Sequence, residues 1–168
     1  MTVPVLLIAT LLFRVLGALG VRRFATWTVS ATHGLAVMLV MTASAHFVPA
    51  SVTVMPTHAD LVAMVPPFVP FASAVIYLTG VLELAGALGL VLGKTRRLAA
   101  YCLIALFVLL LPANIYAAVA DVPFAGDAPS PLWTRIPEQI LFIAVAALAA
   151  RSRSKSVEPV SRQTLAKV

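Results

Sequence analysis

FASAVIYLTGVLELAGALGLVLG, residues 71–93, holds a single acidic or basic side chain, Glu83, in a run of mostly apolar and small residues. A helix needs roughly 20 such residues to cross a hydrocarbon core about 30 Å thick. It also satisfies its own backbone hydrogen bonds, which lipid cannot do. The stretch therefore reads as a membrane span. Four further apolar runs flank it, at about 3–21, 25–47, 98–120 and 136–150. The last is short for a span unless its helix begins near Trp133. Composition agrees: 61% of the 168 residues are hydrophobic, 11% are charged, and the mean hydropathy is +1.03. A soluble domain carries roughly 25% charged residues, so a soluble enzyme, a disordered chain and a secreted disulfide scaffold are excluded. The expected fold class is all-α, an integral membrane helical bundle.

The net charge of +6 does not point to nucleic acid once the charges are located. Arg22 and Arg23 follow the first run, Lys94, Arg96 and Arg97 follow the third, and Arg151, Arg153, Lys155, Arg162 and Lys167 lie in the tail. The other two connections carry Asp60, and Asp121 with Asp127, before Arg135. Basic residues mark the cytoplasmic side, so the expected topology in the plasma membrane has the N-terminus outside, five spans and the C-terminus cytoplasmic. The positive residues follow the first run instead of preceding it, unlike a secretory signal, so that run is expected to stay as a span. Nine of the twelve prolines fall in or beside the two outward connections and stiffen them. Within the first, THADLVAM (Thr57 to Met64) reads as a short interfacial helix, with Thr57 as cap and Asp60 in the first turn, either an idle loop on the headgroups or a lid over the bundle. The tail reads as polar, basic and disordered, able to touch anionic lipid. Cys102 is the one cysteine; no disulfide, CxxC or Cys/His metal spacing is possible within the chain, and no metal site is expected.

An ionisable residue inside a membrane is a functional candidate by default. Glu83 lies eleven residues before Lys94, roughly 16 Å from that edge. Its helix neighbours Gly80, Gly86, Ala87 and Gly89 are small and admit another helix. It is either a proton carrier and ligand anchor or a structural partner of a neighbouring polar group. Arg14 lies at a similar depth and either pairs with Glu83 or snorkels to the near headgroups. His33 reads as an interhelical hydrogen-bonder. His33 and His46, thirteen residues apart, project to different faces and cannot share a metal. Pro112 interrupts the fourth run and frees a carbonyl one turn back, with Asn114 beside it. Arg135, Glu138 and Gln139 are spaced to share one face of the last helix. His46, Asn114, Arg135 and Gln139 thus sit at similar heights, with Glu83 a turn or two below. Turned inward, they would line one outward-opening polar pocket; otherwise each is interhelical glue.

These residues also carry a family resemblance. SAHF at 44–47, AMVPP at 63–67, LTGVLELAGALGL at 78–90, TRRLAA at 95–100, PANIY at 112–116 and RIPEQ at 135–139 together resemble a DoxX-family membrane protein over about residues 25–150. The resemblance implies a four-helix membrane domain at 25–150; the chain departs from the family at the front, where the first apolar run adds a transmembrane helix at 1–24, and the tail follows at 151–168. It implies a loose association with redox work, including thiosulfate-to-quinone electron transfer and membrane oxidoreductase complexes. By position, the family's polar signature falls on His46, Glu83, Asn114, Arg135 and Gln139.

The leading expectation is a redox-associated subunit that binds a quinone or similar apolar molecule. His46, Asn114 and Arg135 would bond its oxygens and Glu83 would supply a proton. Without a redox centre or catalytic motif in the sequence, enzyme activity is undecided, and electrons would come from an oxidoreductase partner or a bound cofactor. The alternative is a non-catalytic lipid-binding or assembly protein that docks through its glycine-rich third run, the Gly89 and Gly93 face. A transporter ranks third, for want of inverted repeats.

Overall fold

The computed structural model describes residues 2–128 and 130–152; the tail from residue 153 lies outside the described residues. The described residues form six α-helices and no strand: α1 (Thr2–Ala18), α2 (Trp27–Ala45), α3 (His58–Ala63), α4 (Ala72–Val91), α5 (Arg96–Val119) and α6 (Leu132–Arg151), with a 3-10 turn at Arg22–Phe24 between α1 and α2. Four of them, α2, α4, α5 and α6, are long and apolar enough to cross a membrane. α1, with 17 residues, is shorter. α6 reaches 20 residues because it starts at Leu132, so the short last run is the apolar part of a full-length helix.

α2, α4, α5 and α6 close into a ring, each packed on the next and α6 returning to α2, while α1 lies along the outside of α2. Leu6 of α1, Leu35, Met38 and Leu39 of α2, Leu90 of α4, Leu103 of α5 and Phe142 of α6 belong to one buried core. The polarity gradient runs against that of a soluble bundle. α2 has the lowest mean hydropathy of the four spans, 1.3, and 56% of its apolar window is buried; α5 has the highest, 2.4, and only 22% is buried. Ser30, Thr32 and His33 are buried in α2, whereas Leu98, Val108, Leu109 and Val119 are exposed along α5. Lipid is the solvent that suits such an apolar exterior, and polar residues turn inward to find partners.

Close approaches explain the small residues. A Cβ on Gly34 would lie 2.3 Å from Thr10 Oγ1 of α1, one on Gly86 would strike Leu103 of α5, and one on Gly89 would lie 2.5 Å from Ala99 Cβ of α5. Gly89 is thus used inside the bundle, while Gly93 is exposed past the end of α4. One end of the ring carries Arg22, Arg23, Lys94, Arg96, Arg97 and Arg151; the other carries α3 and the long connections. At the basic end Arg23 Nη2 donates to Val91 O (2.8 Å) and Arg96 Nε to Leu90 O (2.9 Å), which satisfies the last carbonyls of α4.

Candidate functional site

Near the α3 end, α2 and α4 cross through four side chains placed one turn apart on each helix: Thr42 and His46 on α2, Thr79 and Glu83 on α4. Gly80 makes the crossing possible, since a Cβ there would lie 2.6 Å from His46 Cβ. Glu83 is 6% exposed and His46 5%. Thr42 Oγ1 donates to Glu83 Oε2 (2.9 Å), and Glu83 Oε1 faces His46 Nε2 at 3.6 Å. On the far side of the ring, His46 Nδ1 lies 2.7 Å from Ile76 O, and Thr79 Oγ1 donates to the same carbonyl.

A carbonyl only accepts, so Nδ1 of His46 carries a hydrogen and the tautomer is fixed. Nε2 then faces a carboxyl oxygen with a lone pair unless a proton lies between them. With that proton on either residue the pair is neutral overall, which is the form an apolar interior tolerates. The geometry thus sets an imidazole and a carboxyl within ion-pair distance, though not hydrogen-bonded, in a buried site where one proton makes the pair neutral.

α3 covers this crossing. The Thr57 hydroxyl accepts from Asp60 N, and the Asp60 carboxylate accepts from Thr57 N (2.8 Å), a complete capping box. His58, the first residue of α3, donates from Nδ1 to His46 O (2.8 Å), accepts at Nε2 from Ser73 Oγ (2.8 Å) and stacks on Tyr77 with ring centroids 4.0 Å apart. The lid is therefore pinned to the end of α2 and the start of α4.

The other candidate residues form a second network, between α5 and α6. Arg135 Nη1 donates to Asn114 Oδ1 (3.0 Å) and its Nε to Ser130 O (2.9 Å); Gln139 Nε2 donates to Phe107 O (2.7 Å). Glu138 turns instead to α1 and accepts from Thr2 Oγ1 (3.3 Å). α5 runs unbroken through Pro112. No hydrogen bond among the described residues joins this network to the His46–Glu83 pair. Two clefts of about 400 Å³ open on the bundle, one between the α3–α4 connection and α5, the other among α1, α2 and α4, and none of the five candidate residues lines either. Arg14 does not reach Glu83; its guanidinium lies over Trp27, 5.5 Å from the ring, towards the basic end. His33 bonds its own helix, Nδ1 to Val29 O (2.8 Å), and does not bond a neighbouring helix. No group of three or more potential metal ligands gathers among the described residues.

Thr42, Thr79 and His58 are the site residues that sequence reasoning missed. The signal for the two threonines was register: Thr42 stands four residues before His46 and Thr79 four before Glu83, each on its partner's face.

A family model described as "Domain of unknown function (DUF8561)" matches residues 35–150. This chain belongs to that family. The DUF8561 match takes in residues 35–45 of α2, all of α3 to α5 and α6 up to residue 150, and so both polar networks, but not α1. No curated protein and no solved structure matches the chain.

Proposed function

We propose that this DUF8561 protein is a redox-associated membrane subunit that binds a quinone or similar apolar carbonyl compound at the α3 end of the bundle, where the His46–Glu83 pair exchanges a proton with it. The observation that carries this reading is the fixed His46 tautomer, with Nε2 turned to a buried carboxyl 3.6 Å away. Reducing a quinone oxygen requires a proton as well as electrons, and a neutral pair that holds one proton suits that need. Electrons come from an oxidoreductase partner, in keeping with the DoxX-like resemblance. The protein lies in the plasma membrane with the α3 end outside and the basic end cytoplasmic. A short-chain ubiquinone analogue titrated onto protein in lipid nanodiscs tests the reading. Binding is expected, and His46→Ala and Glu83→Gln should each weaken it about tenfold, or 1.4 kcal/mol. No binding, or binding indifferent to both changes, overturns it.

One observation favours a second reading, a non-catalytic lipid-binding or assembly protein. Arg135, Asn114 and Gln139 are all bonded within the chain, as interhelical glue would be. A tightly bound lipid or protein partner, retained through gentle solubilisation without any quinone effect, would favour it.

A further inference from the structure

Arg14 is the one charged side chain of α1. The turn after it is tight: Gly17 packs on the backbone of Phe24, and a Cβ there would strike Phe24 O. This brings Trp27, the first residue of α2, against Arg14, whose guanidinium lies over the indole ring. Nε of Arg14 is buried and has no acceptor. The two Nη groups bond nothing among the described residues either, but they are not shut in. Arg14 is only partly buried, and Nε alone of its three nitrogens is sealed without a partner. The Nη edge of the guanidinium is therefore accessible from outside the bundle.

A charged group in a membrane helix needs a counter-charge, and the described residues supply none here. Asp60, Asp121 and Asp127 stand in the connections at the other end. Glu83 is taken by Thr42 and His46, and Glu138 accepts from Thr2, at the opposite end of α1. Glu158 lies outside the described residues. The charged groups at this end, Arg22, Arg23, Lys94, Arg96, Arg97 and Arg151, are all cations, and Arg23 and Arg96 are spent on the last carbonyls of α4.

We infer that the junction of α1 and α2 at the basic end is a binding site for an anionic phospholipid, with the Arg14 Nη groups donating to its phosphate oxygens. A guanidinium presents two parallel N–H groups that match two phosphate oxygens at once. The surroundings select a lipid over a free anion. Trp27 is 59% exposed, and an indole settles at headgroup level. Leu11 and Val15, beside Arg14 on α1, are exposed and offer an apolar surface to the acyl chains. Arg22, exposed in the turn between the two helices, adds a second positive charge, which favours a lipid of net negative charge over a zwitterionic one. The site shares no residue with the His46–Glu83 crossing.

The test uses the full chain with Trp133→Phe, which leaves Trp27 as its one tryptophan, in phosphatidylcholine nanodiscs. A fixed share of the lipid is brominated, either phosphatidylglycerol or phosphatidylcholine. Bromine quenches indole fluorescence only at close range, so Trp27 reports the lipid beside it. Phosphatidylglycerol should associate there about fivefold more strongly than phosphatidylcholine. Arg14→Gln should bring the two lipids level, and Arg14→Lys, which keeps the charge but not the fork, should keep only part of the preference. Arg97→Gln removes a cation from the same end, one that lies over Tyr101 instead, and should leave the preference intact. The site is overturned if the two lipids are level in the parent protein, as they would be if Glu158 took the phosphate's place. A preference that survives in Arg14→Gln would overturn it too, and an equal loss in Arg97→Gln would reduce it to diffuse attraction. Relief of the preference by excess inorganic phosphate would assign the site to the free anion and overturn the lipid. The unfolding midpoint is read alongside; if Arg14→Gln does not fold, full preference in Arg14→Lys overturns the two-pronged contact. No variant touches His46 or Glu83, so failure here is distinguishable from failure of the quinone reading.

Discussion

At the scale of single residues, a few costly side chains mark the site, and inexpensive ones build it. Glu83 and His46 stand out in sequence because an ionisable group amid hydrocarbon must have a reason to be there. Thr42 and Thr79 do not stand out, because a threonine in a helix ordinarily bonds a carbonyl of its own preceding turn, as Thr32 does with Thr28. Thr42 Oγ1 lies within reach of both Leu39 O (3.1 Å) and Glu83 Oε2 (2.9 Å), and its single hydrogen serves one of them at a time. Gly80 is the residue on which the rest depends. Its missing Cβ is the space that His46 fills, and the obstacle to a side chain there is the start of the imidazole, with little freedom to move. Gly80→Ala should therefore force α2 and α4 apart and cost about 1–3 kcal/mol. It should lower the thermal unfolding midpoint in detergent and weaken quinone binding together. A Gly80→Ala protein that keeps the wild-type midpoint would mean that the crossing is looser than the 2.6 Å approach implies.

At the scale of elements, the spans were legible because the period and length of apolar runs are local properties. α3 was legible because Thr57 and Asp60 have capping-box spacing. The start of α6 was legible only as an alternative, near Trp133, because Leu132 to Arg135 belong to the helix but are mixed in polarity, as suits residues at a membrane interface, with Trp133 76% exposed. His58 escaped notice because its role needs α2 and α4 to be brought together first. It is nevertheless what turns α3 from a loop ornament into a lid. Thr57→Ala removes the cap and should cost about 1 kcal/mol, raising amide exchange within α3. His58→Ala removes both tethers and should raise exchange in α3 and at the end of α2 together, around His46. Protection of α3 unchanged by His58→Ala would show that its apolar contacts alone hold it down.

At the scale of the whole molecule, sequence reading runs out for a definite reason. Position along a span gives height, and the heights of His46, Asn114, Arg135 and Gln139 do agree. Height says nothing of which helices are neighbours or of how each is rotated about its axis. In the ring, α2 meets α4 and α5 meets α6, so one expected pocket becomes two separate networks, and Gly89 meets Ala99 of the same chain. The charge asymmetry, by contrast, survives folding intact: the basic residues gather at one end and the acidic connections at the other. The positive-inside rule leads to the proposal that the basic end faces the cytoplasm, and this is directly measurable. Cys102 is exposed on α5, so the background is Cys102→Ala. In intact cells, Ser51→Cys, in the connection beside α3, should react with a membrane-impermeant maleimide, whereas Lys94→Cys, between α4 and α5, should react only after the membrane is opened. The reverse pattern would invert the molecule and place the His46–Glu83 pair near the cytoplasmic face, where its proton would exchange with a different compartment. Equal labelling of both positions in sealed cells would show that α4 does not cross the membrane, and the His46–Glu83 pair proposed to exchange a proton would then have no bilayer to sit in.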